Sequence, residues 1–388
     1  MLNFEYHNPV KIVFGKDQLP KLPSYLSDEQ VSGKVLILYG GGSIEKTGLL
    51  DRIKQVLSSY QLSYFKGVEA NPEYSTLMKA VEQIRQENIE FVLAVGGGSV
   101  IDAAKFIVGA VNYDGEPWDV LARKGSAQFK DALPFGTILT LPATGSEANS
   151  GAVISRSEIQ EKRTMGGPLF FPKFSFLDPT LIATLPERQI ANGIIDAFMH
   201  TLEQYLTYPT QNRLQEREAE AILQTLIEIG PKVLQNPSDY DAAANLMWCA
   251  THALNGNLRC GVPTDWATHM IGHELTALFG IDHARTLAIV APRLYEQLFE
   301  EKKEKLQQYG QRVWNLDGSP EQIAQKAIEE TETFFQRLGV NTRLSSYSPE
   351  APSAVNIVRE RFLERNWHLG EHKNVDALIA AKIVEQSL

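Results

Sequence analysis

Histidines at helical spacing are the residues of this chain best suited to metal chemistry. His269 and His273 stand at positions i and i+4 of an apolar stretch, and His283 follows Gly280 further on. Residues at i and i+4 share one face of a helix. The glycine allows that helix to end, so that His283 can fold back toward the same face. Because neutral imidazole is a common ligand of Zn²⁺ and Fe²⁺, the stretch predicts half of a metal site.

A second pair at the same spacing supplies the other half. Asp196 and His200 stand four positions apart within an apolar helical pattern. A carboxylate and an imidazole on a mostly buried helix are unfavourable unless they have partners. The two stretches together offer one carboxylate and three imidazoles, a set suited to a borderline divalent cation: Asp196, His200, His269 and His283.

Each pair taken alone is also compatible with ordinary hydrogen-bonded histidines. The pattern is not that of the zinc proteases, because Glu274 follows His273 instead of lying between His269 and His273. Two such pairs in one chain favour the metal interpretation.

Two glycine clusters predict phosphate binding. Gly96, Gly97, Gly98 and Ser99 follow the apolar run 91–95, and a helical stretch begins directly afterwards. Glycines let the backbone approach a phosphate, and the helix N-terminus supplies free N–H groups and positive dipole. An ordinary tight turn has the same composition. Asp102, in the first turn of that helix, either offsets the dipole or holds the loop.

The other cluster, 40–43, follows the strand 34–39 and bears on the choice of cofactor. An NAD site normally places an acid near the ribose 2′-hydroxyl. Here Ser43 and Lys46 lie close to the glycines, and a hydroxyl with a cation suits a 2′-phosphate. The sequence therefore favours NADP(H), whereas Glu45 opposes this choice if its side chain points inward.

A hydroxyl-rich loop ends a third strand, at 140–147. Thr140 and Thr144 stand at the carboxyl end of that strand, where α/β sheets bind ligands. Their hydroxyls are expected to contact ribose or nicotinamide, although bonds to their own backbone are an alternative. Lys162 lies in a charged stretch, 161–163, that reads by default as a solvated cluster.

The elements that must position these residues fall into two parts. Short apolar strands alternate with helical stretches through residues 1–184, which predicts an α/β dinucleotide-binding domain with a parallel sheet. Residues 185–388 read almost entirely as helix and predict an all-α metal-binding domain. We expect the boundary between residues 179 and 186.

Composition excludes several classes of function. The chain has 388 residues, a formal net charge of −10 and a pI near 5.4, which argues against a surface for nucleic acid or anionic membrane. Two cysteines without C-x-x-C spacing indicate a reducing compartment. With no signal-peptide pattern and no apolar run of about 20 residues, a cytoplasmic protein is predicted.

These motifs in combination closely resemble the iron-dependent (group III) alcohol dehydrogenase family, and within it the NADPH-linked aldehyde reductase and butanol dehydrogenase branch. The resemblance covers essentially the whole chain. It is carried by 39–43, 94–102, 141–147, 196–200, and 269–273 with His283. It implies an α/β dinucleotide-binding domain followed by a helical domain, an architecture also found in dehydroquinate synthase.

The resemblance also implies roles for individual residues. Asp196, His200, His269 and His283 would bind one Fe²⁺ or Zn²⁺, while His273 would lie near the nicotinamide without binding metal. The remaining residues would line the cofactor, at the pyrophosphate (Gly97, Gly98, Ser99, Asp102), near the adenosine ribose (Gly41, Ser43, Asn71), and at the nicotinamide and its ribose (Thr140, Thr144, Lys162). Relatives often carry a base where this chain has Glu45. The family tends to be dimeric or larger, so a homodimer or higher homo-oligomer is expected.

The function that follows is reversible hydride transfer between NADP(H), with NAD possible, and a short-chain aldehyde or primary alcohol. Proton delivery through His273, a ribose hydroxyl or water remains open. Phe198, Trp266 and Phe279 near the predicted ligands favour alkyl substrates. One alternative is polyol oxidation with NAD, as in glycerol dehydrogenase. Another is a lyase like dehydroquinate synthase, which would need more basic residues than Arg259 and Arg285. A third is a nucleotide sensor without catalysis.

Overall fold

The computed structural model describes residues 1–121, 125 and 128–388 and divides the chain into two compact units. The α/β unit comprises His7–Leu185, and the helical unit comprises Met1–Tyr6 with Pro186–Leu388. The division falls between Leu185 and Pro186. Met1–Tyr6, however, groups with the helical unit instead of the α/β domain to which the sequence assigned it, and Leu2 N–H donates to the carbonyl of Gly261 at 2.9 Å.

Parallel strands form the centre of the α/β unit. Within the described residues the main sheet has the order β1-β8-β5-β4-β2-β3, and every pairing in it is parallel. A separate antiparallel pair joins β6 to β7. The strands are β1 (Lys11–Phe14), β2 (Lys34–Tyr39), β3 (Gln61–Lys66), β4 (Phe91–Gly97), β5 (Phe135–Leu141), β6 (Ala152–Arg156), β7 (Glu161–Met165) and β8 (Phe174–Leu177).

Helices alternate with these strands, as the sequence predicted. They are α1 (Leu22–Asp28), α2 (Ser43–Lys46), α3 (Leu49–Val56), α4 (Tyr74–Glu87), α5 (Gly98–Ala110) and α6 (Pro117–Asp119). The central strands β2 and β4 are buried almost throughout, because helices cover both faces of a parallel sheet. One hydrophobic core joins strand residues such as Ile37 and Leu93 to Leu22, Leu26 and Ile53 of the covering helices.

The helix expected over 44–60 is two helices. Gly48 has φ +73° and separates α2 from α3, since a left-handed residue ends the regular hydrogen-bond ladder. The short α2 keeps Ser43, Glu45 and Lys46 close to the preceding glycines.

The helical unit contains the long helices α7 (Glu187–Tyr205), α8 (Arg213–Gln235), α9 (Tyr240–Leu254), α10 (Ala267–Phe279), α11 (His283–Gln297), α12 (Phe299–Arg312), α13 (Pro320–Arg337), α14 (Ser353–Arg365) and α15 (Ala377–Gln386). Helix α7 packs against α8, α9 and α11, and α10 packs against α11. Nearly every residue of α7 from Ile190 onward is buried, which makes it the central helix of this unit. Among the described residues, no helix combines the length and apolar character needed to cross a bilayer. The fold class predicted from the sequence, an α/β unit followed by a helical one, is confirmed.

Candidate active site

A carboxylate oxygen surrounded by three imidazoles forms the most distinctive cluster of the helical unit. Asp196 Oδ1 lies 3.6 Å from His200 Nδ1, 3.9 Å from His269 Nε2 and 3.9 Å from His283 Nε2. Ligand-capable atoms of Asp196, His200 and His269 all lie within 4.8 Å of one another. The structure thus brings together the four residues that the sequence predicted as ligands.

The cluster is assembled from three helices. Asp196 and His200 project from one face of α7, and His269 lies in the first turn of α10. Gly280, with φ +66°, ends α10. His283 lies just past this end, as the sequence suggested, and it is also the first residue of α11.

The residue before His283 is anchored to α7. Asp282 Oδ2 accepts hydrogen bonds from Arg188 Nε at 2.7 Å and from Asn192 Nδ2 at 2.8 Å. Burial raises the pKa of the Asp282 carboxyl, but bonds from Arg188 and Asn192 outweigh it and leave the pKa below the usual value. This ionised anchor fixes the start of α11 and therefore the position of His283.

The donor set fits a divalent metal ion. Asp196 is 3% exposed, and among the described residues no group donates a hydrogen bond to its buried Oδ1. Leaving a buried carboxylate oxygen without a donor is unfavourable. Ligand atoms at these separations fit around one ion with bonds of about 2 Å. A cation would therefore compensate the charge that the surrounding protein leaves uncompensated.

A second carboxylate orients one of the imidazoles. Glu203, one turn after His200 on α7, contacts Nδ1 of His269 and also accepts the backbone N–H of Thr268 at 2.7 Å. Burial and the nearby Asp265 raise the pKa of Glu203, whereas the N–H groups of Thr268 and His269 lower it. A carboxylate on the far nitrogen of a histidine fixes the tautomer and orientation of its ring. Nε2 of His269 is therefore directed toward Asp196.

Behind Glu203 lies a buried charge network. Lys302 Nζ contacts Asp265 Oδ2 at 2.8 Å, Glu371 at 2.8 Å and the carbonyl of Leu206 at 2.8 Å. Asp265 Oδ1 in turn accepts the N–H of Ala267 at 2.8 Å, at the start of α10. Burial lowers the pKa of Lys302, but the two carboxylates outweigh it and hold the pKa above the usual value. This lysine offsets the acids that fix the entry to α10.

His273 lies beside the cluster instead of within it. It is 6% exposed, and its ring centroid lies 4.7 Å from that of His283 and 6.5 Å from that of His269. Trp266 packs nearby, with its ring centroid 5.4 Å from that of His269. Phe198, expected to line the substrate region, is wholly buried against Phe334 and Phe335, so it belongs to the helical core instead.

In the α/β unit, the predicted pyrophosphate loop lies where β4 passes into α5. Gly97 ends the strand and Gly98 begins the helix. A Cβ at Gly98 would stand 2.4 Å from Thr144 Oγ1, so only glycine allows the loop after β5 to approach so closely. Ser99 Oγ donates to the carbonyl of Ala70. The structure thus brings Thr144 against the turn of Gly98 and Ser99, although the two loops were predicted separately.

Asp102 holds this region together from behind. Its carboxylate accepts hydrogen bonds from Ser146 Oγ at 2.6 Å and from the backbone N–H of Val153 at 2.9 Å. Of the two roles considered from the sequence, these bonds favour fixing the loop. Burial raises the pKa of Asp102, although Lys105 and Ser146 lower it.

Lys105 was not singled out from the sequence, yet it is entirely buried next to Asp102. Its Nζ donates to Ser146 Oγ at 2.7 Å, Asn149 Oδ1 at 3.0 Å and the carbonyl of Gly151 at 2.6 Å. Burial lowers the pKa of this lysine to about 8. Its three bonds position the loop that follows β5.

The remaining predicted cofactor residues lie toward the carboxyl ends of the strands or in the loops that follow. Lys162 Nζ donates to Asn71 Oδ1 at 3.1 Å, so two residues predicted independently are in contact. Lys162 lies in β7 and is half-buried, so the charged stretch 161–163 is part of a strand. Thr140 is half-buried near the end of β5. Gly41 is exposed, and no described atom lies within 4 Å of the Cβ position there.

The turn after β2 carries an ion pair that the sequence did not indicate. Ser43 and Lys46 are exposed, and the cation that meets Glu45 is Lys66, at the end of β3, with Nζ 2.6 Å from Oε2. Tyr39 donates its hydroxyl to Oε1 of Glu45 at 2.9 Å. The bond from Lys66 is the main cause of the lowered pKa of Glu45.

A parallel sheet with glycine turns and a buried carboxylate–histidine cluster are the features of a nucleotide- and metal-dependent oxidoreductase. Comparison with family models agrees: the model for iron-containing alcohol dehydrogenase matches residues 9–179, and the model for the C-terminal part of that family matches residues 190–383. The chain belongs to the iron-containing alcohol dehydrogenase family.

Individual relatives are similar over their full length. The chain is 47% identical to NADPH-dependent aldehyde reductase YqhD of Escherichia coli over 388 residues, covering 99% of each chain. It is 41% identical to the probable NADH-dependent butanol dehydrogenase 1 of Bacillus subtilis, covering 100% of each. The crystal structure of Escherichia coli YqhD superposes with a TM-score of 0.94 at 46% identity, covering 100% of this chain and 99% of that one.

Sequence reasoning missed Glu203, Lys66 and Lys105 as parts of these sites. One signal was available for Glu203, because Asp196, His200 and Glu203 stand at i, i+4 and i+7 and share one helix face. Lys66 carries no local signal, since Glu45 lies far away in the chain. Lys105 stands three positions after Asp102 on α5, but the groups that accept its hydrogen bonds are distant in the chain.

Proposed function

We propose that this chain is a metal-dependent oxidoreductase that transfers hydride between NADP(H) and short-chain aldehydes or primary alcohols. The observation that carries the proposal is the buried Oδ1 of Asp196 with three imidazole nitrogens around it. The names of the relatives support the substrate class, since one is an aldehyde reductase and another a probable butanol dehydrogenase. They name NADPH and NADH respectively.

The four residues of the cluster, Asp196, His200, His269 and His283, are proposed as the ligands of one Fe²⁺ or Zn²⁺. Such an ion would act as a Lewis acid toward the substrate oxygen. Three neutral imidazoles and one carboxylate leave a divalent site with net positive charge, which suits the negative charge developing on that oxygen. Glu203 keeps His269 turned toward the site through its contact with Nδ1.

The glycine turns are proposed to bind the dinucleotide, which carries the hydride chemistry. Exposed backbone at Gly41 and Ser43 would receive the adenosine ribose, with Asn71 nearby. The N-terminus of α5 would receive the pyrophosphate through Gly97, Gly98 and Ser99, because helix N–H groups without partners favour anions. Asp102 acts by holding the loop of Thr144. Thr140, Thr144 and Lys162 would contact the nicotinamide and its ribose.

His273 is proposed to lie near the nicotinamide and to take part in proton transfer to the substrate oxygen. Its buried ring beside His283 supports this role. General acid catalysis typically contributes 10²–10⁴-fold, so we expect His273→Ala to lower kcat by roughly 10²-fold if no water replaces the ring. A kcat within about twofold of the native value would assign the proton to a ribose hydroxyl or to water.

The surroundings of the cluster favour an alkyl substrate over a phosphorylated acid. Trp266 faces the cluster. A lyase would need several basic residues, and Arg285, one of the two near candidates, is already engaged with Asn192 at 3.2 Å and with Asp282. The lyase alternative is therefore less favoured.

The test is oxidation of NADPH, with NADH in parallel and butyraldehyde as acceptor. It is run on metal-stripped protein and on the same protein restored with Zn²⁺ or Fe²⁺. We expect turnover only after metal is restored, and none with Asp196→Asn. Turnover that is independent of metal, or retained in both Asp196→Asn and His283→Ala, would refute the site.

We propose that the protein assembles as a homodimer or larger homo-oligomer. Exposed apolar side chains near the N-terminus support this proposal, since Leu2, Phe4 and Tyr6 are each at least 44% exposed. Light scattering at micromolar protein would measure the mass, and a monomer would contradict the proposal.

A cytoplasmic location is also proposed, because Cys249 and Cys260 are free buried thiols, as suits a reducing compartment. Fractionation of cells that express the chain tests the location, and recovery in a membrane or secreted fraction would contradict it.

A further inference from the structure

The turn after β2 carries an ion pair whose two members bear on the choice between NADPH and NADH. Lys66 Nζ lies 2.6 Å from Glu45 Oε2, and the two side chains are 50% and 38% exposed. Both are therefore accessible to a ligand. Relatives of this chain are named for NADPH in one case and for NADH in another.

Strand pairing brings the pair to the nucleotide-binding edge of the sheet. Tyr39 and Lys66 are paired in the parallel register of β2 and β3, and each is the last residue of its strand. The backbone after β3 is tied to the same place, since Gly67 N–H donates to the carbonyl of Tyr39 at 3.1 Å. Ligands of open α/β sheets bind outside the carboxyl ends of their strands.

The ion pair also covers the glycine turn itself. A Cβ at Gly42, where φ is +100°, would stand 2.9 Å from Glu45 Oε2 and 3.1 Å from Lys66 Nζ. Lys66 is thus adjacent to the backbone to which we assign the adenosine ribose. The hydrogen bond from the Tyr39 hydroxyl further fixes Glu45. Burial together with this bond raises the pKa of Tyr39 to about 12, so the Tyr39 hydroxyl stays protonated and remains a donor.

We propose that Lys66 binds the 2′-phosphate of NADPH and that Glu45 opposes it, so that this pair sets the preference for NADPH over NADH. The inference rests on the proposed function, namely that the turn after β2 receives the adenosine ribose. An ammonium has three donors, and the pair with Glu45 uses one of them. The carboxylate offsets the charge of Lys66, repels a phosphate and offers an acceptor to the free 2′-hydroxyl of NADH.

This assignment replaces the one made from the sequence, which placed Lys46 at the phosphate. Lys46 is the last residue of α2 and is exposed. Lys66, distant in the chain, is the cation within reach of Gly42.

The experiment measures the Kd of NADPH and of NADH on the metal-loaded protein, through the fluorescence of the bound dihydronicotinamide. NADH is an internal control because it lacks only the 2′-phosphate. We expect Lys66→Gln to weaken NADPH binding by about tenfold, which is the effect of one partly screened charge-assisted hydrogen bond. NADH binding should weaken by less than about twofold. Lys66→Arg should retain most of the NADPH affinity. Glu45→Gln should raise the ratio of NADPH to NADH affinity by about fivefold.

Lys11→Gln is the matched control. Lys11 is also a half-exposed lysine in an ion pair, with Asp28 at 3.5 Å, but it begins β1, at the amino end of the sheet. We expect both affinities to be unchanged in this variant. A similar loss of NADPH affinity there would assign the effect to overall charge and would overturn the proposal.

Three further outcomes would overturn it. Equal weakening of NADPH and NADH by Lys66→Gln would show a merely structural role for the lysine, while the proposed dehydrogenase function would stand. If Lys46→Gln loses more NADPH affinity than Lys66→Gln while keeping its NADH affinity, Lys46 and not Lys66 binds the 2′-phosphate. If neither nucleotide binds the native protein, the proposed function fails as well, so the two failures are distinguishable.

Discussion

The carboxylate of Glu203 contacts Nδ1 of His269, so a residue of α7 orients an imidazole of α10. The same carboxylate accepts the N–H of Thr268 at 2.7 Å. One acid therefore fixes both the start of α10 and the ring that this helix presents to Asp196.

We expect Glu203→Gln to weaken metal binding by about 10- to 100-fold, which is the typical cost of losing the partner on the far nitrogen of a metal-binding histidine. The glutamine has the same shape but lacks the charge that supports the imidazole. Competition with a chromogenic chelator for Zn²⁺ measures the affinity. Glu220→Gln is the control, because Glu220 is a buried carboxylate that binds Tyr205 and Arg312, not a histidine. Equal affinities in Glu203→Gln and the native protein would contradict the role.

Metal binding is expected to stabilise the folded protein. A ligand that binds only the folded state at 100 times its Kd adds about 2.7 kcal/mol to the unfolding free energy. Zn²⁺ should therefore raise the Tm of the stripped protein, and Asp196→Asn should abolish most of this rise, because the amide leaves the three imidazoles without their carboxylate. Differential scanning calorimetry measures both. An undiminished rise in Asp196→Asn would place the metal elsewhere.

Gly98→Ala should destabilise the α/β unit by about 1–3 kcal/mol, because the added methyl would overlap Thr144 Oγ1 at 2.4 Å and Cγ2 at 2.5 Å. It should also weaken nucleotide binding by displacing the loop. Urea denaturation gives the stability, and fluorescence titration the affinity. Gly41→Ala is the stability control, since no described atom lies within 4 Å of its Cβ position. Equal stabilities of the two variants would show that the loop of Thr144 moves to accommodate the methyl group without loss of stability.

The buried Lys105 predicts a particular pH dependence. Burial lowers its pKa to about 8 in the folded chain, against 10.5 for the ordinary side chain. Between these values the unfolded chain binds more protons than the folded one, so the contribution of Lys105 to the unfolding free energy rises with pH. Asp102 and Glu147 face the ammonium and limit the shift.

Comparison with Lys105→Met isolates this effect from other titrating groups. Between about pH 7.5 and about pH 10, the unfolding free energy of the native protein should rise by roughly 2 kcal/mol relative to that of the variant. Denaturant unfolding of both proteins at the two pH values measures the difference. A difference that is constant with pH would show that the lysine titrates normally, and one that falls with pH would reverse the expected sign.

Local patterns were sufficient for much of the fold and for most residues of the carboxylate–histidine cluster. Asp196 with His200, and His269 with His273, are recognisable because helical spacing alone puts each pair on one face. The glycines at 96–98 are recognisable because they follow an apolar strand and precede a helix. The role of Phe198 was misjudged, since neighbouring positions on a helix point in different directions and only packing shows that this ring faces Phe334.

Secondary structure and the chemical types of the candidate residues were thus determined by the sequence alone, because both depend on neighbours within a few positions. Tertiary structure decided which distant residues meet. Lys66 reaches Glu45 because β2 and β3 pair in one register, and Lys105 reaches Gly151 because the loop after β5 folds over α5. His283 joins the other histidines because Gly280 ends one helix and Asp282 anchors the next. The contacts of Lys66 and of Lys105 with Gly151 arise from the packing of whole elements, and short-range spacing carries no record of them.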